Sequence, residues 1–244
     1  MLVLLRRRPA FLPTALLLAT LAGCSAAPAV PVASGPTPTS AVAVTSGPTI
    51  GPTGTRGAVD FDGGFVRFGD GARIVDLYVD PLCPYCRIFE EGSAPLLFAE
   101  AEAGRATVRI HPIAVLDRLS QGTQYSTRAA AAFIAVAAAT PEHAQGYFEA
   151  LFAHQPDENT PGLSDDELLA LAALLGGDEE AMRRELPSMQ GWVTELTRSA
   201  LTGPLPVTDE IAAIEQVPTV VVQGAVFRGD SDETEAFAQF YAAH

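Results

Sequence analysis

Lysine is absent from this 244-residue chain: all fifteen basic residues are arginine, set against 29 acidic ones, for a net charge of −14. Chemistry that needs a Schiff base on a lysine amine is therefore excluded. The carboxylate excess argues against a nucleic-acid surface and against a domain lying on anionic lipid. Its default meaning is solubility, and the exclusive use of arginine fits a GC-rich genome better than a function. Cysteine is nearly absent as well, with only Cys24, Cys83 and Cys86. Three cysteines, two of them only three positions apart, cannot form a framework of structural disulfides. The apolar stretch from Phe11 to Leu21, interrupted by Pro13, is too short to span a bilayer stably.

What is present is the tetrapeptide Cys83-Pro84-Tyr85-Cys86. It follows a hydrophobic run, Ile74 to Val79, that reads as a buried strand, and it opens a helical segment, Arg87 to Glu102. Two thiols spaced Cys-x-x-Cys at a strand-to-helix junction suit thiol–disulfide exchange. The first sulfur sits where unpaired backbone N–H groups and the helix dipole favour a thiolate; the second lies one turn deeper. The same spacing also serves as half of a zinc site or as an inert disulfide. Zinc would need two further ligands, and His111, His143, His154 and His244 are the histidines available beside carboxylates. None is close in sequence to the pair, so the redox reading leads and no metal is expected.

The N-terminus reads as a bacterial export signal, residues 1–23, with Arg6, Arg7 and Arg8 as its charged start. Leu21-Ala22-Gly23-Cys24 resembles a lipobox, the recognition sequence of bacterial lipoproteins. That resemblance implies cleavage before Cys24 and lipid on its sulfur and new amino group, enough acyl chain to anchor the protein to a membrane. Ordinary cleavage nearby, with Cys24 incidental, is the alternative. Arg7-Arg8 is a weak twin-arginine signal, so Sec and Tat export both stay open. The processed chain keeps twelve arginines against 29 acidic residues, a net charge of −17. Export would place Cys83 and Cys86 in an oxidising compartment.

Residues 24–57 are rich in Ala, Pro, Ser, Thr and Gly, carry no charge until Arg56, and cannot build a core. They are expected to be a disordered tether of roughly 30 Å as a coil and up to ~100 Å extended, or else a spacer of no tuned length. Residues 58–244 are expected to form one domain. Strands are predicted over Phe65–Phe68, Arg73–Val79 and Ala106–Ile113, with a helix from Cys83 to about Gly104 kinked at Pro95. Thr219–Val222 and Ala225–Arg228 flank Gln223-Gly224 as a hairpin, and Ser231 is placed to cap a last helix ending near Ala242. Between these units lies an all-helical block. Thr127–Ala139 is apolar nearly all round, Thr140-Pro141 can start a helix through Phe152, and Ser164-Asp165-Asp166-Glu167 matches a capping box that Gly176-Gly177 later ends. Asp178–Glu185 and Met189–Leu201 read as two further helices.

Three features resemble the thioredoxin superfamily and, within it, the DsbA-like oxidoreductases. One is the strand–Cys83-Pro84-Tyr85-Cys86–helix unit preceded by Asp80; another is the helical insertion, about residues 122–205, which glutaredoxins lack; the third is Val217-Pro218-Thr219 before a late strand. The resemblance covers about Phe65 to His244. It implies an α/β thioredoxin fold, a central mixed sheet flanked by helices. It also implies a cis Val217–Pro218 bond packed against the cysteines, with Val217 and Pro218 meeting an extended substrate segment strand to strand. Many relatives carry a buried carboxylate six residues before the first cysteine. Here that position is Leu77, and the neighbouring Asp76 should face the other way by strand alternation.

The expected activity is a protein disulfide oxidoreductase with Cys83 as the attacking sulfur and Cys86 as the resolving one, without a cofactor. Asp80 and Glu90 would oppose a thiolate at Cys83. Tyr85 is either a substrate contact that tunes the pair or an exposed ring at a helix start. Arg87 reads as a solvated helix residue and His111 as structural. The leading direction is oxidation of exported cysteine-containing proteins, with a membrane redox partner resetting the thiols. A reductase, for example in cytochrome maturation, and a non-enzymatic metal carrier are the alternatives. No dimerisation module is visible, so a monomer is expected.

Overall fold

The computed structural model describes residues 51–244. The expected signal sequence, Cys24 and the expected tether up to residue 50 lie outside the described residues. Seven strands and seven helices follow one another as β1 (Thr55–Arg56), β2 (Val59–Asp60), β3 (Phe65–Phe68), β4 (Arg73–Val79), α1 (Pro84–Gly92), α2 (Ala94–Glu102), β5 (Ala106–Pro112), α3 (Tyr125–Ala139), α4 (Ala144–Ala153), α5 (Asp165–Leu174), α6 (Glu179–Thr202), β6 (Thr219–Val222), β7 (Ala225–Val226) and α7 (Thr234–Ala243). The strands form one mixed sheet in the order β1-β2-β3-β5-β4-β6-β7. Only the central pair β4–β5 is parallel, from Arg73 opposite Ala106 to Val79 opposite Pro112. Every other neighbour is antiparallel. A parallel pair needs a helical crossover, and α1–α2 provides it.

β4 is buried from Val75 to Val79, as a central strand covered on both faces should be. Alternation sends Val75, Leu77 and Val79 into the main core, while Tyr78 packs into a smaller cluster with Ile113, Ala200, Leu205 and Ile214. Asp76 also leaves the main core's face: its carboxylate pairs with Arg109 and meets His111 Nε2 at 2.8 Å. The His111 ring stacks on Tyr78 at 4.2 Å, which makes His111 part of the packing of the sheet.

The helical insertion consists of α3 to α6. Thirteen of the fifteen residues of α3 are buried, because a helix of alanines offers a narrow cylinder that neighbours can approach from all sides. Phe148 of α4 fills the gap between the insertion and the sheet side, with ring neighbours Phe98, Phe133 and Phe152 at 6.0, 5.3 and 5.1 Å. The capping box at the start of α5 is complete: Glu167 N donates to Ser164 Oγ at 3.2 Å and Ser164 N to Glu167 Oε2 at 2.8 Å.

Several expectations need correction. The helix after the cysteines does not kink at Pro95; it ends at Gly92, and a new helix starts after Ser93. Pro95 then sits in the first turn of α2, where its missing N–H has no partner to lose. The two helices read over 178–201 are one, α6, despite Pro187. Pro187 faces solvent, so the carbonyl that it leaves unpaired is not buried, and Met182, Leu186, Met189 and Val193 continue one apolar stripe past it. Ser231 does not cap the last helix, which starts at Thr234 after Glu233. The hairpin strand after Gly224 stops at Val226 rather than Arg228. Finally, the sheet begins inside the span assigned to the tether. β1 pairs with β2 across Gly57, whose φ of +56° and close approach to the Ala137 carbonyl leave no room for a side chain.

Phe148→Ala should lower the unfolding free energy by about 3–5 kcal/mol, because the aromatic cluster around it cannot collapse into the space. Urea denaturation monitored by circular dichroism measures the change.

Candidate active site

The site begins where β4 runs out. Cys83 is the N-cap of α1, with an extended backbone (φ −76°, ψ 118°), and Pro84 supplies a first helical residue whose ring pre-sets φ. Cys83 N donates to Asp80 O at 3.0 Å, closing the turn out of the strand. Arg87 N donates to Cys83 O at 3.2 Å, starting the helix. Both cysteines are free thiols. Cys83 retains 4% of its surface and Cys86 only 1%, so an incoming sulfur meets Cys83. Tyr85, between them, is 64% exposed.

Asp80 organises this junction. It is fully buried. Its carboxylate accepts from Leu82 N and from Leu116 N, both at 2.8 Å, joining the cysteine loop to the segment that follows β5. Its own N–H points at Cys86 Sγ at 3.5 Å. Burial pushes the Asp80 carboxyl up to about 6. Ser126 Oγ is near enough to temper that rise, although it completes no hydrogen bond of ordinary geometry. Gln155, just beyond α4, holds the other side of the loop: its Nε2 donates to Pro81 O at 2.8 Å and Cys83 O at 3.0 Å.

The two thiols titrate in opposite directions. Cys83 is held below the ordinary thiol value, chiefly because the Cys86 thiol donates to it. The backbone N–H groups of Cys86 and Tyr85 act in the same sense, while partial burial and the Asp80 charge resist. Cys86 is pushed well above the ordinary value, first by complete burial. Asp80 thus opposes a Cys83 thiolate, as its charge demands. Glu90 does not figure in the balance at Cys83. Its own carboxyl rises to about 7 through burial and the charges of Glu149 and Glu91.

The late loop closes the site. Cys83 Sγ lies 3.4 Å from the Val217 carbonyl oxygen, in position to donate when protonated. The Val217–Pro218 bond is cis, as is Gly203–Pro204. A groove of about 550 Å³ opens beside Tyr85, Val217 and Pro218. The structure therefore brings Asp80, Cys83, Pro84, Tyr85, Cys86, Val217 and Pro218 to one place. Gln155 and the Leu116 amide escaped sequence reading. They arrive through the insertion and the post-β5 loop, and neither sits in a motif. Among the described residues, no group of three or more His, Cys, Asp or Glu is arranged to hold a metal ion.

A mixed sheet with a Cys-x-x-Cys at the N-terminus of its crossover helix, facing an X-Pro loop, defines a thioredoxin-fold dithiol protein. The thioredoxin family model matches residues 70–240, and the chain belongs to that family. The fold is that of its DsbA-like branch. The structure is similar to the reduced form of the disulfide bond oxidoreductase DsbG from Mycobacterium tuberculosis, with 25% identity and a TM-score of 0.58 over 75% of this chain and 89% of that one. It is also similar to MdbA, a thiol-disulfide oxidoreductase from Corynebacterium diphtheriae, with 19% identity and a TM-score of 0.61 over 78% and 96% of the two chains. Reduced DsbA from M. tuberculosis matches at 22% identity and a TM-score of 0.55, covering 74% of this chain and 98% of that chain. Among curated proteins, the serine/threonine-protein kinase PknE of M. tuberculosis is 33% identical over 125 residues, half of this chain but only 22% of the kinase. The chain therefore spans about a fifth of that relative's length, and the kinase's name describes the whole of it.

Two outcomes test this electrostatic balance. Cys86→Ala removes the main donor to the Cys83 sulfur while Cys86→Ser keeps a hydroxyl there. Iodoacetamide alkylation against pH should give Cys83 a higher pKa in the alanine variant than in the serine variant, and in both a higher one than in the parent dithiol. Asp80 binds its proton more tightly folded than unfolded, so its contribution to stability falls as pH rises from about 4 to about 6, by as much as about 3 kcal/mol. Asp80→Asn should remove that slope from a series of denaturation curves, whatever its pH-independent cost.

Proposed function

We propose that this protein is an extracytoplasmic thiol–disulfide oxidoreductase that oxidises dithiols in exported proteins through Cys83 and Cys86. The observation that carries the reading is the asymmetric pair: a Cys83 sulfur stabilised as thiolate by Cys86 and two backbone N–H groups, within 3.4 Å of the Val217 carbonyl. The names of DsbG, DsbA and MdbA point the same way.

The cycle starts from the Cys83–Cys86 disulfide. A substrate thiolate attacks Cys83 Sγ, a new S–S bond forms, and the old one breaks with its electron pair going to Cys86. Buried Cys86 then takes up a proton. The substrate's second thiolate attacks the substrate sulfur of the mixed disulfide and expels Cys83 as a thiolate. The substrate leaves oxidised, and two electrons remain on the dithiol until a membrane redox partner removes them. Stabilising the Cys83 thiolate favours the reduced pair, and that favours oxidation of the substrate. Val217 and Pro218 border the sulfur, so an extended substrate segment can pair with the Val217 backbone while its cysteine reaches Cys83. Tyr85 offers a ring to the same segment.

Anchoring by lipid on Cys24, with residues 25 to about 50 as a tether, rests on the sequence of the N-terminal segment. It would keep a monomeric catalytic domain at the outer surface of a membrane, near both exported chains and the resetting partner.

Equilibration of the purified protein with glutathione buffers should give a potential near about −120 mV; a value near about −270 mV would reverse the direction and make it a reductase. Cys83→Ser should abolish oxidative refolding of a reduced substrate protein, and Cys24→Ala should release the protein from membranes.

A further inference from the structure

The groove beside the reactive sulfur has two chemically distinct parts. Its floor is apolar, from Ile88, Phe89, Val220 and Phe227, and runs up to Val217 and Pro218. Its far edge is the loop before α7, where Asp230 and Asp232 are both exposed. Neither carboxylate enters an ion pair among the described residues. No arginine lines the groove. Arg228, one residue past Phe227, turns to Glu210 at 3.3 Å, and Arg87 of α1 lies 4.0 Å from Glu91.

The positive end of α7 is the obvious local use for these carboxylates. That end is worth about half an elementary charge. Asp230 and Asp232 carry two, and Glu233 adds a third, its Oε2 accepting from Asp230 N at 2.9 Å. The edge therefore stays negative after the helix is accounted for.

We propose that this groove selects substrate segments in which the cysteine is flanked by a bulky apolar residue and, within a few residues, by arginine or lysine. The apolar side chain covers Phe227 and Ile88 while the cation meets Asp230 and Asp232. The inference rests on the exchange activity proposed above and names the class of segment that the activity prefers. Exposed charges of this kind steer association more than they hold the complex, so the preference belongs to the rate of mixed-disulfide formation.

The test uses the oxidised full chain in neutral detergent and two peptides, each with one cysteine two residues from a phenylalanine. One peptide carries two arginines and the other two glutamates. Each rate of attack on Cys83 is divided by the same peptide's rate with 2-hydroxyethyl disulfide, which cancels the effect of the flanking charges on the thiol itself. The arginine peptide should react about tenfold faster at low salt, and the ratio should shrink at 1 M salt, where the screening length is about 3 Å. In the Asp230→Asn, Asp232→Asn double variant the ratio should fall towards one. A ratio within twofold in the parent protein, or an unchanged ratio in the variant, overturns the proposal while leaving the exchange activity standing. If the oxidised parent reacts with 2-mercaptoethanol no faster than 2-hydroxyethyl disulfide does, the exchange reading fails, and this proposal fails with it.

Discussion

The carboxylate of Asp80 is the tie on which the redox site depends. A chain leaving a buried parallel strand must turn sharply to present the first turn of a helix, and the amides in that turn need partners away from water. Asp80 supplies them from one residue. Its side chain takes Leu82 N and Leu116 N, its carbonyl takes Cys83 N, and its N–H points at Cys86. Without the two carboxylate bonds, the cysteine loop and the post-β5 segment would have no polar link at this point. The energetic consequence is unfavourable in itself: a buried carboxylate raised to about 6 is partly destabilising at neutral pH. The fold tolerates this cost at the position where the geometry of two sulfurs must be fixed.

The site has no carboxylate at position 77. Leu77 points into the main core and is almost fully buried there. Asp76, one residue away, goes to the opposite face and is committed to Arg109 and His111. The strand thus separates two polar tasks. One face holds an ion pair that stitches β4 to β5; the end of the strand holds Asp80. A charge on the core face at 77 would need partners that none of its apolar neighbours could give.

Much of this was legible in the sequence, for reasons that differ by element. β3, β4 and β6 show at their true bounds because each is a short, mainly apolar run bounded by glycine, proline or polar residues. The start of α5 shows because a capping box is a local hydrogen-bond pattern. Cys83, Cys86 and Val217-Pro218 show because their types and order are themselves the signal. Two of the failures share one cause, which is that proline is read as a break. Pro187 breaks nothing, since it lies on the solvent side of α6, and Pro95 follows a break that belongs to Ser93. Burial direction decides the first, and it is a tertiary property. Gln155 and Leu116 are invisible because each acts only through contacts made across more than thirty residues.

The asymmetry of the thiols follows from a competition that has opposite winners three residues apart. Desolvation disfavours a thiolate at both sulfurs. A helix dipole alone shifts a thiol by about one pKa unit, too little to overcome burial and the nearby Asp80 charge together. At Cys83, which keeps a solvent-facing edge, the Cys86 thiol and two amides tip the balance towards the anion. At Cys86, sealed from solvent, the same hydrogen bond is given away rather than received, and burial wins. The inner sulfur therefore holds its proton more tightly than the outer one. An incoming thiol can reach only the sulfur that is also the better leaving group. Which cysteine reacts is thus set by position in the first turn of α1, before any substrate contact contributes.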